Sequence, residues 1–402
     1  MSLRAARKGV VTAVLLSAAA LHGEGTLIDG MEQANFRAPQ EKASHEIVDG
    51  RFGKAVKFSF ADGCRNAFFM LRARGAPEWD NAAGFSFWVK GDGSDRFGGL
   101  QFVWNEDYAL RYAYAFPIDD TEWRKVVVPW RDIFPETAKP GAKLIDPKDG
   151  NAPSRLGQLW FGKWWYWRDY GPHSYAIDEI RLEPVIELDN NDYRPRGAPL
   201  ERVLAKLRAR KPVTMVTMGD SLTDYNHWAN RQTNWPTLLA AALKQQYGGE
   251  VTIVNPAMGG TELRNNIVLI PRWAKKTPEP DLVTVCFGYN DWGSGMRGQM
   301  FHETLKEAVD RIRRATGGKA DVLIITTCPA VERWDEMAEL AQACRDAAKE
   351  KNAGIADIYS AFHEAGRTDR ERLYCSDKTH LGPAGHEIVA KTVLDAIARG
   401  GR

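Results

Sequence analysis

Hydrophobic and polar residues alternate in short runs through the first half of the chain, and the alternation stops in the second half. The runs at 54–60, 84–90, 100–104, 111–116, 123–129 and 175–182 switch between apolar and polar positions and are bounded by Gly, Asp and Asn. That period of two predicts strands with one buried face, and the lack of long helical periodicity between them predicts an antiparallel sandwich or jelly roll. From 212 onward the apolar runs at 213–217, 251–254, 282–287, 322–326 and 355–358 carry no polar alternation. Parallel strands covered on both faces read this way. Helical spacing fills the gaps at 235–247, 264–275, 301–315, 335–351 and 383–398. The prediction is an α/β doubly wound parallel sheet preceded by an all-β jelly-roll sandwich domain.

The join lies at 187–197, which is polar and rich in turn residues. Leu200, Val203, Leu204 and Leu207 then recur at helical spacing, predicting an amphipathic helix whose narrow stripe packs on the next domain. The first residues have a basic start (Arg4, Arg7, Lys8), an apolar run over 9–21, and small residues from Ala18 to Ala20 and at Gly23. This is the build of a secretory signal peptide and predicts a secreted or periplasmic protein. The boundaries read from the sequence are 1–24 for the signal peptide, 25–185 for the β domain, 186–211 for linker and helix, and 212–402 for the α/β domain. No later run reaches the ~20 apolar residues of a membrane span.

Charge and cysteine content narrow the partners. The chain has 402 residues with 54 Lys+Arg against 52 Asp+Glu, a net charge of +2. That balance gives no field implying nucleic acid or an anionic membrane. The five cysteines are odd in number and have no CxxC spacing, so neither a zinc site nor a disulfide framework is predicted. Cys286 and Cys328 sit in apolar runs as small core residues, and one bridge involving Cys375 stays open in an oxidising compartment.

Aromatic weight concentrates in the β domain, densest at Trp160, Trp164, Trp165, Tyr166 and Trp167. If 164–167 is extended, Trp164 and Tyr166 share one face, and Trp165 and Trp167 the other. Core packing is favoured over stacking on sugar rings. Leu27 to Glu32, Phe85 to Gly93, Trp123 to Trp130 and Tyr175 to Ile180 together resemble galactose-binding-like jelly rolls, particularly the group with family 11 carbohydrate-binding modules. The resemblance implies the jelly roll, and sugar binding more weakly. It also implies a structural calcium, with Asp29, Glu32 and Asp178 as candidate ligands; solvated acidic turns explain each equally.

The chemistry gathers at the ends of the predicted parallel strands. The first is followed by Gly219-Asp220-Ser221-Leu222, the second by Asn255 to Thr261, the third by Gly288-Tyr289-Asn290-Asp291, and near the chain's end stands Asp377-Lys378-Thr379-His380. A doubly wound sheet delivers such segments to one rim. They supply the four group types an ester hydrolase needs: a nucleophilic hydroxyl, an imidazole, a carboxylate to orient it, and donors for an oxyanion. Gly-x-Ser-x-Gly is absent around Ser221, which argues against an α/β-hydrolase elbow.

These four blocks, in this order, resemble those of the SGNH/GDSL hydrolases, whose sheet is flavodoxin-like. The resemblance implies Ser221 as nucleophile, His380 as base, Asp377 as its orienting partner, and Ser221 N–H, Gly260 N–H and the Asn290 side chain as oxyanion donors, with Gly259 the alternative to Gly260. No cofactor is needed for that catalysis. Asp220 and Asp291 are expected to brace loops, and His386 to lie on the final helix. Trp228, Tyr289 and Trp292 flank the blocks and are candidate substrate-binding rings, with closing off a core the equal alternative for the tryptophans. The predicted function is a secreted serine esterase removing acyl groups, most simply acetyl, from an acylated polysaccharide or oligosaccharide. The alternatives are a lipid or thioester hydrolase of the same family and a non-catalytic carbohydrate-binding protein.

Overall fold

Val56, Phe58 and Phe60 are buried while Lys57 and Ser59 between them are half-buried, the alternation of a strand with one core face. The computed structural model describes residues 25–34, 36, 41–71, 74–137, 151–168 and 170–400. The predicted signal peptide lies outside the described residues. The first half forms β1 (Thr26–Asp29), β2 (Ala43–Asp49), β3 (Lys54–Phe60), β4 (Ala67–Leu71), β5 (Gly84–Gly91), β6 (Phe97–Trp104), β7 (Asp107–Pro117), β8 (Arg124–Pro129), β9 (Phe134–Pro135), β10 (Leu156–Lys163) and β11 (His173–Glu183). They pair antiparallel in two sheets, β2-β3-β11-β5-β8 with β1 on the far end of β11, and β4-β10-β6-β7-β9. The sheets pack face to face through rings: Phe58 meets Phe69 at 5.0 Å and Phe161 at 5.6 Å, and Phe87 meets Phe161 edge-on at 5.8 Å. Such pairs add about 0.5–1.5 kcal/mol each beyond the area they bury.

The second half forms β12 (Val213–Gly219), β13 (Val251–Val254), β14 (Leu282–Cys286), β15 (Asp321–Ile325) and β16 (Gly354–Ala356), all parallel in the order β13-β12-β14-β15-β16. This is the doubly wound order in which the chain reverses direction across the sheet beside its first strand, and ligands sit outside the carboxyl ends there. The helices are α1 (Glu201–Arg208), α2 (Trp235–Tyr247), α3 (Leu263–Val268), α4 (Ile270–Lys276), α5 (Tyr289–Gly293), α6 (Gly298–Ala315), α7 (Ala338–Lys351), α8 (Ile358–Ala365) and α9 (Pro383–Ala398). The stripe of α1 is buried in the same cluster as Val213, Leu239 and Val393. The single helix expected over 264–275 is two, because Pro271 has no N–H to give and its ring crowds the preceding turn. Residues 355–358 give only a short strand, since Asp357 caps α8 by accepting the Ser360 N–H at 3.1 Å.

The two halves share a core. Ala113, Ala115, Phe134, Trp164, Tyr166 and Trp167 of the β domain bury in one cluster with Leu263, Ile267, Ile270 and Trp273 of α3 and α4. The outer face of the second sheet is therefore largely covered by helices. That cover explains why β10, buried along nearly its whole length, shows no alternation and was not predicted. The extended reading of 164–167 is corrected too: Trp165–Trp167 is a 3-10 turn with Trp164, Tyr166 and Trp167 buried and Trp165 49% exposed. All five cysteines are unpaired.

The three candidate calcium ligands serve the backbone. Asp29 accepts the Met31 N–H, Glu32 the Lys54 N–H, and Asp178 the N–H groups of Arg51 and Phe52 at 2.7 and 2.9 Å. Among the described residues, no three His, Cys, Asp or Glu side chains come together as a metal site.

His386 on α9 is fully buried, and neither ring nitrogen has a partner among the described residues. Burial pulls its pKa down to about 4. As pH falls from about 6.5, the unfolded chain protonates this ring while the folded chain resists, so stability present above pH 6.5 is lost toward pH 4, by about 3 kcal/mol. The prediction is that His386→Leu flattens this acid slope. Urea unfolding at pH 7 and pH 4.5 should show the stability difference shrinking by about 2–3 kcal/mol; an unchanged difference refutes it.

Candidate active site

The nucleophile block is one tight turn at the carboxyl end of β12. A Cβ on Gly219 would stand 2.4 Å from Thr223 Oγ1, so only glycine allows the chain to fold back this closely. The Asp220 carbonyl accepts the N–H groups of Thr223 and Asp224, both at 3.0 Å, and its carboxylate accepts that of Leu222 at 2.9 Å. Asn230 Nδ2 donates to the carbonyls of Ser221 and Asp224 at 2.6 and 2.8 Å. With the turn so braced, Ser221 is left half-buried on the rim.

His380 meets it there. Ser221 Oγ lies 3.0 Å from His380 Nε2, and His380 Nδ1 lies 2.5 Å from Asp377 Oδ2. A carboxylate on Nδ1 assigns the proton to that nitrogen and leaves Nε2 to accept from the hydroxyl. Asp377 Oδ1 also takes the N–H groups of Thr379 and His380 at 3.2 and 3.0 Å, so the turn that carries the imidazole also aims it. Burial alone would raise the Asp377 carboxyl, but the hydrogen bonds from His380 and Thr379 outweigh it and hold it below its usual range. Hydroxyl, imidazole and ionised carboxylate in one line can activate the hydroxyl for nucleophilic attack.

Donors converge beside it. Gly259 packs so close that a Cβ there would be 3.3 Å from Ser221 Cβ, but its N–H is spent on Asp224 Oδ2 at 2.8 Å. The N–H groups of Ser221 and Gly260 have no partner among the described residues, and Gly260 holds φ +77, a left-handed geometry natural to glycine. Asn290 Nδ2 donates to the Thr261 carbonyl at 3.0 Å, which fixes its amide against the same loop. Asp291 is fully buried and takes the Leu263 N–H at 2.9 Å, tying α5 to α3 as a loop brace. Burial raises its carboxyl well above the usual range. Asp220 braces its own turn, and burial lifts its pKa to about 6 against the pull of the Leu222 N–H.

Sequence reading missed three contributors. Arg168, from the β domain, donates through Nη1 to Asp224 Oδ2 at 3.0 Å and through Nη2 to the Gly259 carbonyl at 2.6 Å. Asp224 is 1% exposed and so clamps the peptide groups around Gly259 with Arg168. No local signal could have found a partner 56 positions upstream in another domain. His227 stacks on the His380 ring at 4.1 Å. Burial and the neighbouring His380 hold its pKa down, which favours a neutral ring against the imidazole. Of the candidate rings, Trp228 is 53% exposed with its centroid 5.7 Å from that of His380, and Tyr289 is half-buried next to Asn290. Trp292 packs against the core shared by the two halves, the alternative held open for it, and the guanidiniums of Arg297 and Arg333 lie over its ring at 4.4 and 4.2 Å, a cation–π arrangement.

Residues 217–388 match the GDSL-like Lipase/Acylhydrolase family. No curated protein sequence matches the chain. Among solved structures, the lipase/acylhydrolase from Enterococcus faecalis is similar at 21% identity and a TM-score of 0.40, over 46% of this chain and 96% of that one. An acetylxylan esterase from Geobacillus stearothermophilus is similar at 22% identity and a TM-score of 0.39, over 46% of this chain and 94% of that one. The family match runs from the end of β12 into α9 and takes in all four sequence blocks. The C-terminal half of the chain therefore carries a GDSL-like lipase/acylhydrolase domain with the SGNH hydrolase fold.

Proposed function

We propose that the protein is an exported serine esterase that removes acyl groups, acetyl above all, from an acylated polysaccharide or oligosaccharide. The observation that carries this reading is the line from Ser221 Oγ through His380 to Asp377, at 3.0 and 2.5 Å. Ser221 attacks the ester carbonyl as His380 Nε2 takes its proton, and Asp377 holds the imidazolium that forms. The carbonyl oxygen becomes an oxyanion held by Ser221 N–H, Gly260 N–H and the Asn290 amide. The engagement of the Gly259 N–H by Asp224 supports Gly260 over Gly259 in this role.

Collapse of the tetrahedral intermediate expels the sugar alkoxide, which takes the proton back from His380 and leaves an acyl-Ser221. Water then attacks with His380 again as base, and the free carboxylic acid departs. The exposed face of Trp228 beside His380 supports a sugar ring as the alcohol side, since an amphipathic ring left half in water at a reaction centre favours stacking. The close packing of Ser221, Arg168 and His227 around Gly259 supports a short acyl group.

Ser221→Ala is expected to abolish 4-nitrophenol release from 4-nitrophenyl acetate with circular dichroism unchanged; full activity would sink the proposal. Asn290→Ala should lower kcat by about 10²-fold or more. Arg168→Ala should lower kcat by about 10- to 100-fold, because the oxyanion loop loses its clamp, while KM stays near wild type. A lower melting temperature with kcat intact would mean that Arg168 only holds the domains together.

A further inference from the structure

The helices do not cover the whole outer face of the second sheet. A cleft of about 760 Å³ remains between the domains, with Tyr108, Trp165 and Gln101 on the β-domain side and Glu262, Asn265 and Ser294 on the hydrolase side. We infer that this cleft binds the sugar residues flanking the acylated one, as a subsite for a neutral oligosaccharide or polysaccharide chain; the inference rests on the carbohydrate-ester function proposed above.

Size and lining agree with such an occupant. Small-molecule sites typically enclose about 300–1,000 Å³ and combine apolar ring surface with a few fixed polar groups. Tyr108 and Trp165 stand on the rim, 56% and 49% exposed, while Trp164 and Tyr166 beside them are buried. A ring half in water can take the C–H face of a pyranose as readily as another apolar surface. The floor is rigid and close to electroneutral. Glu136, 4% exposed, accepts from Arg111 Nε at 3.1 Å, from Tyr166 Oη at 2.5 Å and from Gln101 Nε2. The charges of Arg111 and Glu136 therefore match each other on the floor, and hydroxyl groups find fixed partners at the edges. One acceptor is under-used: Glu262 Oε2 is buried beside Ser294, and no well-formed hydrogen bond reaches it among the described residues. Burying an acceptor short of donors is unfavourable, and a donating hydroxyl would offset that.

The hydrolase wall is continuous with the reaction centre. Glu262 follows Gly260 by two positions on the same loop, and Ser294 Oγ donates to the Asn290 carbonyl at 2.9 Å. A chain lying in the cleft thus touches the supports of two proposed oxyanion donors. Neither domain forms the cleft by itself, which gives the β domain a part in the reaction beyond packing.

The test compares full-length wild type with Trp165→Ala and Tyr108→Ala on chemically acetylated xylohexaose, mannohexaose and cellohexaose, and on 4-nitrophenyl acetate, which is too small to reach the cleft. Both rings are half in water, so their loss leaves the core intact, and the two variants check each other. The inference expects the ratio of KM for the best hexasaccharide to KM for 4-nitrophenyl acetate to rise about tenfold in each variant. An unchanged ratio, with the wild type deacetylating a hexasaccharide, overturns the subsite and spares the proposed function. Wild-type turnover of 4-nitrophenyl acetate with none of the three hexasaccharides overturns both.

Discussion

The carboxylate of Asp224 holds the site together. It is 1% exposed, and it takes the N–H groups of Asn226 and Gly259, both at 2.8 Å, and the Arg168 guanidinium at 3.0 Å. Removing a carboxylate from water costs several kcal/mol and is offset only when charge-assisted hydrogen bonds satisfy it. The nucleophile turn, the loop after β13 and the β domain each supply a part of that satisfaction. Displacing any one of them exposes the others to the cost, so the three are coupled.

That coupling changes how the β domain is understood. Its aromatic richness serves two cores: Phe58, Phe87 and Phe161 fill the sandwich, while Trp164, Tyr166 and Trp167 fill the seam against α3 and α4. Arg264, 3% exposed, reaches across that seam to the Thr137 carbonyl, and Arg272 reaches the Trp167 carbonyl at 2.7 Å. A seam with this much buried apolar surface and these charged donors on main-chain acceptors resembles a shared core more than a hinge between modules. The turn that ends in Arg168 is held by the same seam, which is how packing far from Ser221 bears on the loop beside it.

Elements with one buried face or a clean cap were legible in the sequence. Residues 54–60, 251–254, 235–247 and 383–398 were predicted at the bounds of β3, β13, α2 and α9, because period and punctuation agreed there. β10 was not, since burial along both faces removes the alternation that marks a strand. The four site blocks were legible because each follows a strand or turn whose end the sheet must deliver to one rim. Arg168 and the Arg297 and Arg333 cover of Trp292 were not, since each depends on side chains brought from elsewhere in the fold. Local pattern therefore located the residues that the fold brings together on the rim, and only tertiary geometry disclosed what positions them.

In the proposed reaction Ser221 carries the acyl group between the two halves of the cycle. Rapid quenching of the full-length protein with 4-nitrophenyl acetate, followed by peptide mass spectrometry, tests it most directly. The expected result is one acetyl group on the peptide containing Ser221, absent when His380→Ala protein is treated in the same way. Turnover with no acetyl on Ser221, or with acetyl on another side chain that forms and decays at the rate of turnover, would contradict it.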